Sequence, residues 1–230
     1  MDTENAKPLT GWTIVFDLDG TLVHTAPDLL RALNHVLGSI DLAPVELSTI
    51  ENMVGHGAKA MLKRGMEHQG ADPDAYDIDA LFDAFLDYYS ANICVDSHPF
   101  EGVVGVLDIL AQQGATLAVC TNKRVALAVQ LLDTLNLSGK FQAILGADSV
   151  PNRKPNGDHI LRTIEIAAGK PDRAVMVGDS RTDERAARDV GLPFIFVPFG
   201  YESESIEQIG ADAVVTHYSE FLSELSELTS

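Results

Sequence analysis

The feature that most constrains this chain is a series of short, nearly continuous apolar runs rich in β-branched residues. They lie at residues 12–18 (WTIVFDL), 115–120 (ATLAVC), 141–145 (FQAIL), 174–177 (AVMV) and 194–197 (FIFV), with a weaker one at 213–215. Runs of this length without strict polar alternation read as strands covered on both faces. Residues 103–112, 125–135, 160–168 and 181–190 separate them and carry apolar residues at three- and four-residue spacing, which predicts helices. Strands and helices alternating in this way fold as a parallel sheet, because each crossover lays its helix on a sheet face.

One stretch departs from the rhythm. Residues 25–98 contain no convincing strand. Three helices are expected instead, around Leu29–Leu30–Leu33–Val36–Leu37, around Met53–Ala60–Met61–Leu62, and around Leu81–Phe82–Phe85–Leu86–Tyr89. The expected architecture is α/β: a Rossmann-like parallel core built from residues 1–24 and 99–230, with an all-helical domain inserted over 25–98. The Ser- and Glu-rich end, 219–230, is expected to form a final surface helix.

A chain of 230 residues buries enough surface to need no disulfide or structural zinc. Cys94 and Cys120, its two cysteines, are expected as buried reduced thiols. Thirty-four acidic against sixteen basic residues give a net charge of −18. Such a chain repels phosphate backbones and anionic lipid, which argues against nucleic acid and membrane surfaces as partners. The polar start is no signal peptide, and no apolar run approaches the ~18 residues of a spanning helix. A cytoplasmic location is expected; monomer and dimer are both open.

The strand ends carry the chemistry. The first apolar run closes in Asp17-Leu18-Asp19-Gly20-Thr21-Leu22. Two carboxylates this close repel unless a proton or cation lies between them. Asp and Gly also favour plain turns, but this pair stands at a strand's carboxyl end, where open parallel sheets bind ligands. Other runs lead into Thr121-Asn122 and into Gly178-Asp179-Ser180 with Asp183 following, and between them, just before a helix, lies Lys154-Pro155. Each alone reads equally as a cap or loop; together, in this order, they converge on one rim. Asp17, Asp179 and Asp183 form a hard oxygen set suited to Mg²⁺. Thr121, Asn122 and Lys154 can hold an anion's oxygens. A metal and a lysine beside a carboxylate nucleophile are what phosphoryl transfer requires.

In these motifs, DLDGTL, TN, KP and GDSRTD in that order, the chain resembles the phosphatases of the haloacid dehalogenase superfamily. LVHTAPDLLRALN (22–34), MVGHGAKAMLKR (53–64) and PFEGV (99–103) are similar to the phosphoglycolate phosphatase branch, and the helical insert resembles the family's type-one cap. The resemblance implies Asp17 as nucleophile, Asp19 as general acid and base, and Thr121 and Lys154 as grips on the phosphoryl group. It implies Mg²⁺ on the Asp17 side chain, the Asp19 backbone carbonyl and Asp179, with Asp183 supporting the metal's water shell. The implied substrate is a small phosphorylated metabolite, foremost 2-phosphoglycolate. Another phosphorylated metabolite, a phosphomutase activity and a non-enzymatic phosphoryl-accepting module are the competing readings.

Three positions depart from the branch: His24 stands where an acid is usual, Arg124 where proline follows Thr-Asn-Lys, and Gly157 where proline is often found two residues after Lys-Pro. In the insert, Gly55-His56-Gly57 is the candidate substrate loop, since glycines let the backbone approach a ligand and His56 could bind a carboxylate. Arg31 and Arg64 are further carboxylate candidates, although for either one a solvated or salt-bridged arginine is the plainer reading.

Overall fold

The computed structural model describes residues 7–50, 57–202 and 204–229. Six parallel strands, β1 (Thr13–Phe16), β4 (Thr116–Cys120), β5 (Ala143–Leu145), β6 (Ala174–Gly178), β7 (Phe194–Phe196) and β8 (Ala213–Val214), form one sheet in the order β5-β4-β1-β6-β7-β8. All six coincide with the apolar runs. Residues alternate between its faces, as the two-residue period of a strand requires. Ile14 and Phe16 join one apolar cluster with Leu117, Val119, Val175 and Val177, while Val15 joins the other with Ala118, Met176 and Phe194. Helices α5 (Val103–Gln112) and α6 (Val125–Thr134) contribute to the first cluster, and α7 (Asp158–Ile166) and α8 (Arg181–Asp189) to the second. The final helix, α10 (Phe221–Leu228), buries Phe221 and Leu225 in the first. The short α9 (Ile206–Ile209), with its Ser205 capping box, was not legible from apolar spacing.

The helical stretch follows β1, as expected. It comprises α1 (Ala26–Ser39), α2 (Leu47–Ile50), α3 (Ala58–His68) and α4 (Ile78–Ala91). Leu29, Leu33, Val36 and Leu37 of α1 are buried at four-, three- and one-residue spacing, against Met61, Leu62 and Met66 of α3 and Phe85 and Tyr89 of α4. Asp77 caps α4 by accepting from the Asp79 and Ala80 N–H groups, both at 3.1 Å. Where the chain leaves the core and returns, two-residue strands β2 (Val23–His24) and β3 (His98–Pro99) pair antiparallel. A two-residue strand has no period to read, so sequence patterning missed both. Among the described residues no helix is long and apolar enough to cross a membrane.

Asp28 staples the two ends of the insert. Its buried carboxylate accepts from the N–H groups of Val95, Asp96 and Ser97 and from the Ser97 hydroxyl, the last at 2.7 Å. Burial alone would raise its carboxyl, but the Ser97 hydroxyl and the three N–H groups outweigh it and hold the pKa below 3.8. A depressed folded pKa contributes stability that is full above 3.8 and lost as pH falls through the folded value. Asp28→Ala is therefore expected to cost about 3 kcal/mol at neutral pH, since it strands three backbone donors. Urea midpoints should show this gap narrowing below pH 3.8; a pH-independent gap would contradict the account. Arg31 ion-pairs with Asp28 and Asp96 at this staple, the salt-bridged alternative to a substrate-carboxylate role. The thiols are free, with Cys120 buried and Cys94, contrary to expectation, only half-buried.

Candidate active site

Register brings the site together. Phe16 of the central strand lies opposite Val119 of β4 and Val177 of β6. One residue further on stand Asp17, Cys120 and Gly178, and the next residues out are Thr121 and Asp179. The Asp17 N–H extends the ladder by donating to the Val177 carbonyl at 2.9 Å. Asp17, Thr121, Lys154, Asp179 and Asp183 are all buried at this rim.

Three carboxylates converge: Asp17, Asp179 and Asp183 offer oxygens that all lie within 4.8 Å of one another. Asp17 is pushed up to about 7, first by burial and then by Asp183 and Asp19, against the lowering charge of Lys154. Burial, with Asp183 and Asp17 nearby, drives Asp179 well above the carboxylate range. Asp179 is held on both sides. Its Oδ1 accepts from the Thr21 hydroxyl at 2.9 Å and its Oδ2 from the Tyr201 N–H at 2.8 Å. Gly20, at φ +83°, lies so close that a Cβ there would stand 2.2 Å from Asp179 Oδ2, so this turn takes only glycine. Asp183 closes a capping box with Ser180 at the start of α8.

Lys154 is the buried counter-ion, with Nζ 3.0 Å from Asp17 and 2.6 Å from Asp183. Burial opposes its charge, but the two carboxylates raise its pKa far above the usual lysine value, so it stays protonated. Behind it, burial and the Lys154 charge lower His159 to about 4, keeping that imidazole neutral. Burial pushes the Cys120 thiol up to about 12, which makes it inert. Asn122 donates from Nδ2 to the Lys154 carbonyl at 3.0 Å, tying the loop after β4 to the Lys-Pro loop. Thr121 Oγ1 accepts from the Lys123 N–H at 3.2 Å.

Asp19 stands apart from the carboxylate cluster. Lys123, absent from the residues singled out by sequence, holds it through Nζ at 2.7 and 3.0 Å from its two oxygens. The same Nζ lies 4.8 Å from the ring centroid of Tyr89 on α4. Burial opposes the lysine charge, while Asp19 and Tyr89 raise its pKa. The available signal was position: Lys123 directly follows Thr121-Asn122.

A cavity of about 640 Å³ opens between the rim and the insert. Asp17, Asp19, Thr121, Asn122 and Lys123 line its floor, and Gly57, Lys59, Met61, Phe82 and Tyr89 line the side of α3 and α4. Arg124 and Arg153 stand at its edge. Arg124 packs on Phe82, its guanidinium carbon 5.2 Å from the ring centroid, while Lys59 approaches the same ring at 5.0 Å. Lys59 pairs with Asp79; among the described residues Arg124 and Arg153 form no ion pair with a carboxylate. Arg64 is not among the described lining residues. Gly55 and His56 lie outside the described residues.

Residues 14–197 match the family model for haloacid dehalogenase-like hydrolases. The chain is 48% identical over 207 residues to a phosphoglycolate phosphatase of Caulobacter vibrioides, covering 90% of this chain and 87% of the relative. It is 43% identical over 214 residues to a phosphoglycolate phosphatase of Agrobacterium fabrum, covering 93% and 91%. Its fold is similar to the crystal structure of a predicted phosphoglycolate phosphatase from Haemophilus somnus, with TM-score 0.85 and 27% identity, covering 94% of this chain and 97% of that one. With two strand-end aspartates, a buried lysine and a threonine on one rim, and a family match over most of its length, the chain belongs to the haloacid dehalogenase-like hydrolases.

Proposed function

We propose that this phosphatase hydrolyses 2-phosphoglycolate to glycolate and phosphate, with residues 25–98 acting as a cap domain over a core of 1–24 and 99–230. The observation that carries the reading is the packing of Lys154 and the Asp179–Asp183 pair against Asp17, which itself lies on the floor of a cleft edged by two arginines without carboxylate partners among the described residues.

Asp17 attacks phosphorus and forms an aspartyl phosphate, releasing the substrate alkoxide. Asp19 gives that alkoxide a proton, then takes one from the water that cleaves the intermediate. Thr121, Asn122 and Lys154 hold the phosphoryl oxygens, and Lys154 screens the repulsion between Asp17 and the dianion. Lys123 keeps Asp19 aimed at the cleft. The charge balance fits a divalent cation: three buried carboxylates face a single buried lysine, and all donors are hard oxygens. Asp17, Asp179 and the Asp19 carbonyl would hold magnesium, Asp183 would sit behind it, and the ion would supply Lewis-acid stabilisation of the developing charge. Gly57 lines the insert side of the cleft, and Arg124 and Arg153 offer the charge that a second, carboxylate end of the substrate requires.

The test is a kinetic screen of phosphorylated metabolites. EDTA should abolish turnover and Mg²⁺ restore it, and kcat/KM for 2-phosphoglycolate should exceed that for hexose phosphates and nucleotides. Metal-independent hydrolysis would overturn the site, and a strong preference for hexose phosphates or nucleotides would overturn the substrate.

A further inference from the structure

Tyr201 belongs to none of the motifs, yet it joins the acidic rim to the start of the helical insert. It lies in the loop after β7 and is 6% exposed. Its backbone N–H donates to Asp179 Oδ2 at 2.8 Å. Its phenol oxygen reaches the other way and accepts from the N–H groups of Thr25, at 2.7 Å, and Ala26, at 3.0 Å. His24 Nδ1 lies 3.1 Å from the same phenol oxygen.

The two N–H groups belong to the N-terminus of α1, the first helix of the insert. The leading N–H groups of a helix have no partner inside it and need an outside acceptor. A threonine at the N-cap usually supplies that acceptor itself. Here Thr25 occupies the N-cap but its side chain makes no cap bond, and its Oγ1 is buried without a partner among the described residues. The helix is capped from the core instead. The tyrosine ring packs closely on Gly20, where a Cβ would come within 2.7 Å of its Cδ2. Burial raises the phenol pKa, so the hydroxyl keeps its proton.

We propose that Tyr201 is a positioning residue for phosphoryl transfer: its backbone fixes Asp179, its phenol oxygen fixes the first turn of α1, and the orientation of the insert over the cleft is thereby set from the acidic rim. The His24 and Val23 strand that pairs with β3 lies immediately before this turn, so the tyrosine holds the insert where it departs from the core. Rotation of the insert pivots on these two bonds or breaks them.

The proposal rests on the phosphoryl-transfer reading of the rim, and its test separates the two. Tyr201→Phe removes the phenol oxygen and keeps both the ring and the backbone N–H. The amides of Thr25 and Ala26 are expected to exchange with solvent at least ~10-fold faster in the variant. The kcat/KM for 2-phosphoglycolate is expected to fall about tenfold or more, through kcat and KM together, as hinge changes do. The Mg²⁺ activation constant should stay within about twofold, because the bond to Asp179 comes from the backbone. Unchanged exchange at Thr25 and Ala26 would overturn the proposal. So would a lower Tm with kcat and KM at parent values, the signature of a purely structural role. Parent turnover without magnesium would defeat the reading of the rim, while the exchange comparison still reports on Tyr201.

Discussion

Asp17→Asn is expected to lower turnover by ~10⁴-fold or more, since the amide cannot serve as the nucleophile that forms the aspartyl phosphate. The variant is nearly isosteric, so substrate binding should persist and KM should change little beside kcat. The fold should tolerate it. Asp17 is buried, and burial with neighbouring acids already pushes its pKa up to about 7, so its charge is a liability to the metal-free protein. In EDTA, Tm of the variant should match or exceed that of the parent. Retained turnover would exclude Asp17 as nucleophile; lost turnover with a collapsed Tm would leave the loss explained by unfolding and contradict this account of the charge.

Lys154→Met is expected to be the most damaging single change, because it strikes chemistry and stability together. Lys154 is 2% exposed and bonded to both Asp17 and Asp183. Methionine fills most of the same space but leaves buried carboxylates with no cation. Breaking a buried pair in this way costs about 3–5 kcal/mol, a large share of the ~5–15 kcal/mol that stabilises a domain. Urea unfolding in EDTA measures the loss, and Mg²⁺ should recover part of it by binding only the folded site. Activity should fall ~10²–10³-fold even at saturating Mg²⁺, because a charge aimed at the transferring group is gone. A variant as stable as the parent without metal would show that the three acids do not need the lysine.

The parts of the fold that were legible in sequence are those with a repeating physical signal. Runs such as WTIVFDL and AVMV announce strands covered on both faces, and β1 and β6 lie at the centre of the sheet. The rim residues were legible because Asp17, Thr121 and Asp179 each follow an apolar run, and parallel strands bring those ends together. Contacts between segments left no such trace. Tyr201 lies 177 residues from His24 in the chain, and nothing in either neighbourhood announces their pairing. Lys123 was in plain sight beside Thr121-Asn122, but its bond to Asp19 depends on the fold. Arg31 read as either a salt-bridged arginine or a substrate contact, and only the fold shows that Asp28 and Asp96 hold it.

The three departures from the related branch each have a physical setting. His24 faces the Tyr201 hydroxyl, and Arg124 lies over the Phe82 ring of the insert. Gly157 packs on α8 so tightly that a Cβ would come 2.3 Å from Val190 and 2.9 Å from the Ala186 carbonyl. None of the three displaces Asp17, Asp19, Thr121 or Lys154 from the rim.

The central claim is that Asp17 itself receives the phosphoryl group. Acid quenching of the magnesium-loaded protein during turnover of 2-phosphoglycolate, followed by peptide mass spectrometry, reads this directly. The account predicts a phosphoryl adduct on the peptide carrying Asp17, localised to that carboxylate and absent from Asp17→Asn. An adduct on Asp19 or on any other side chain, or one that persists in Asp17→Asn, would contradict it.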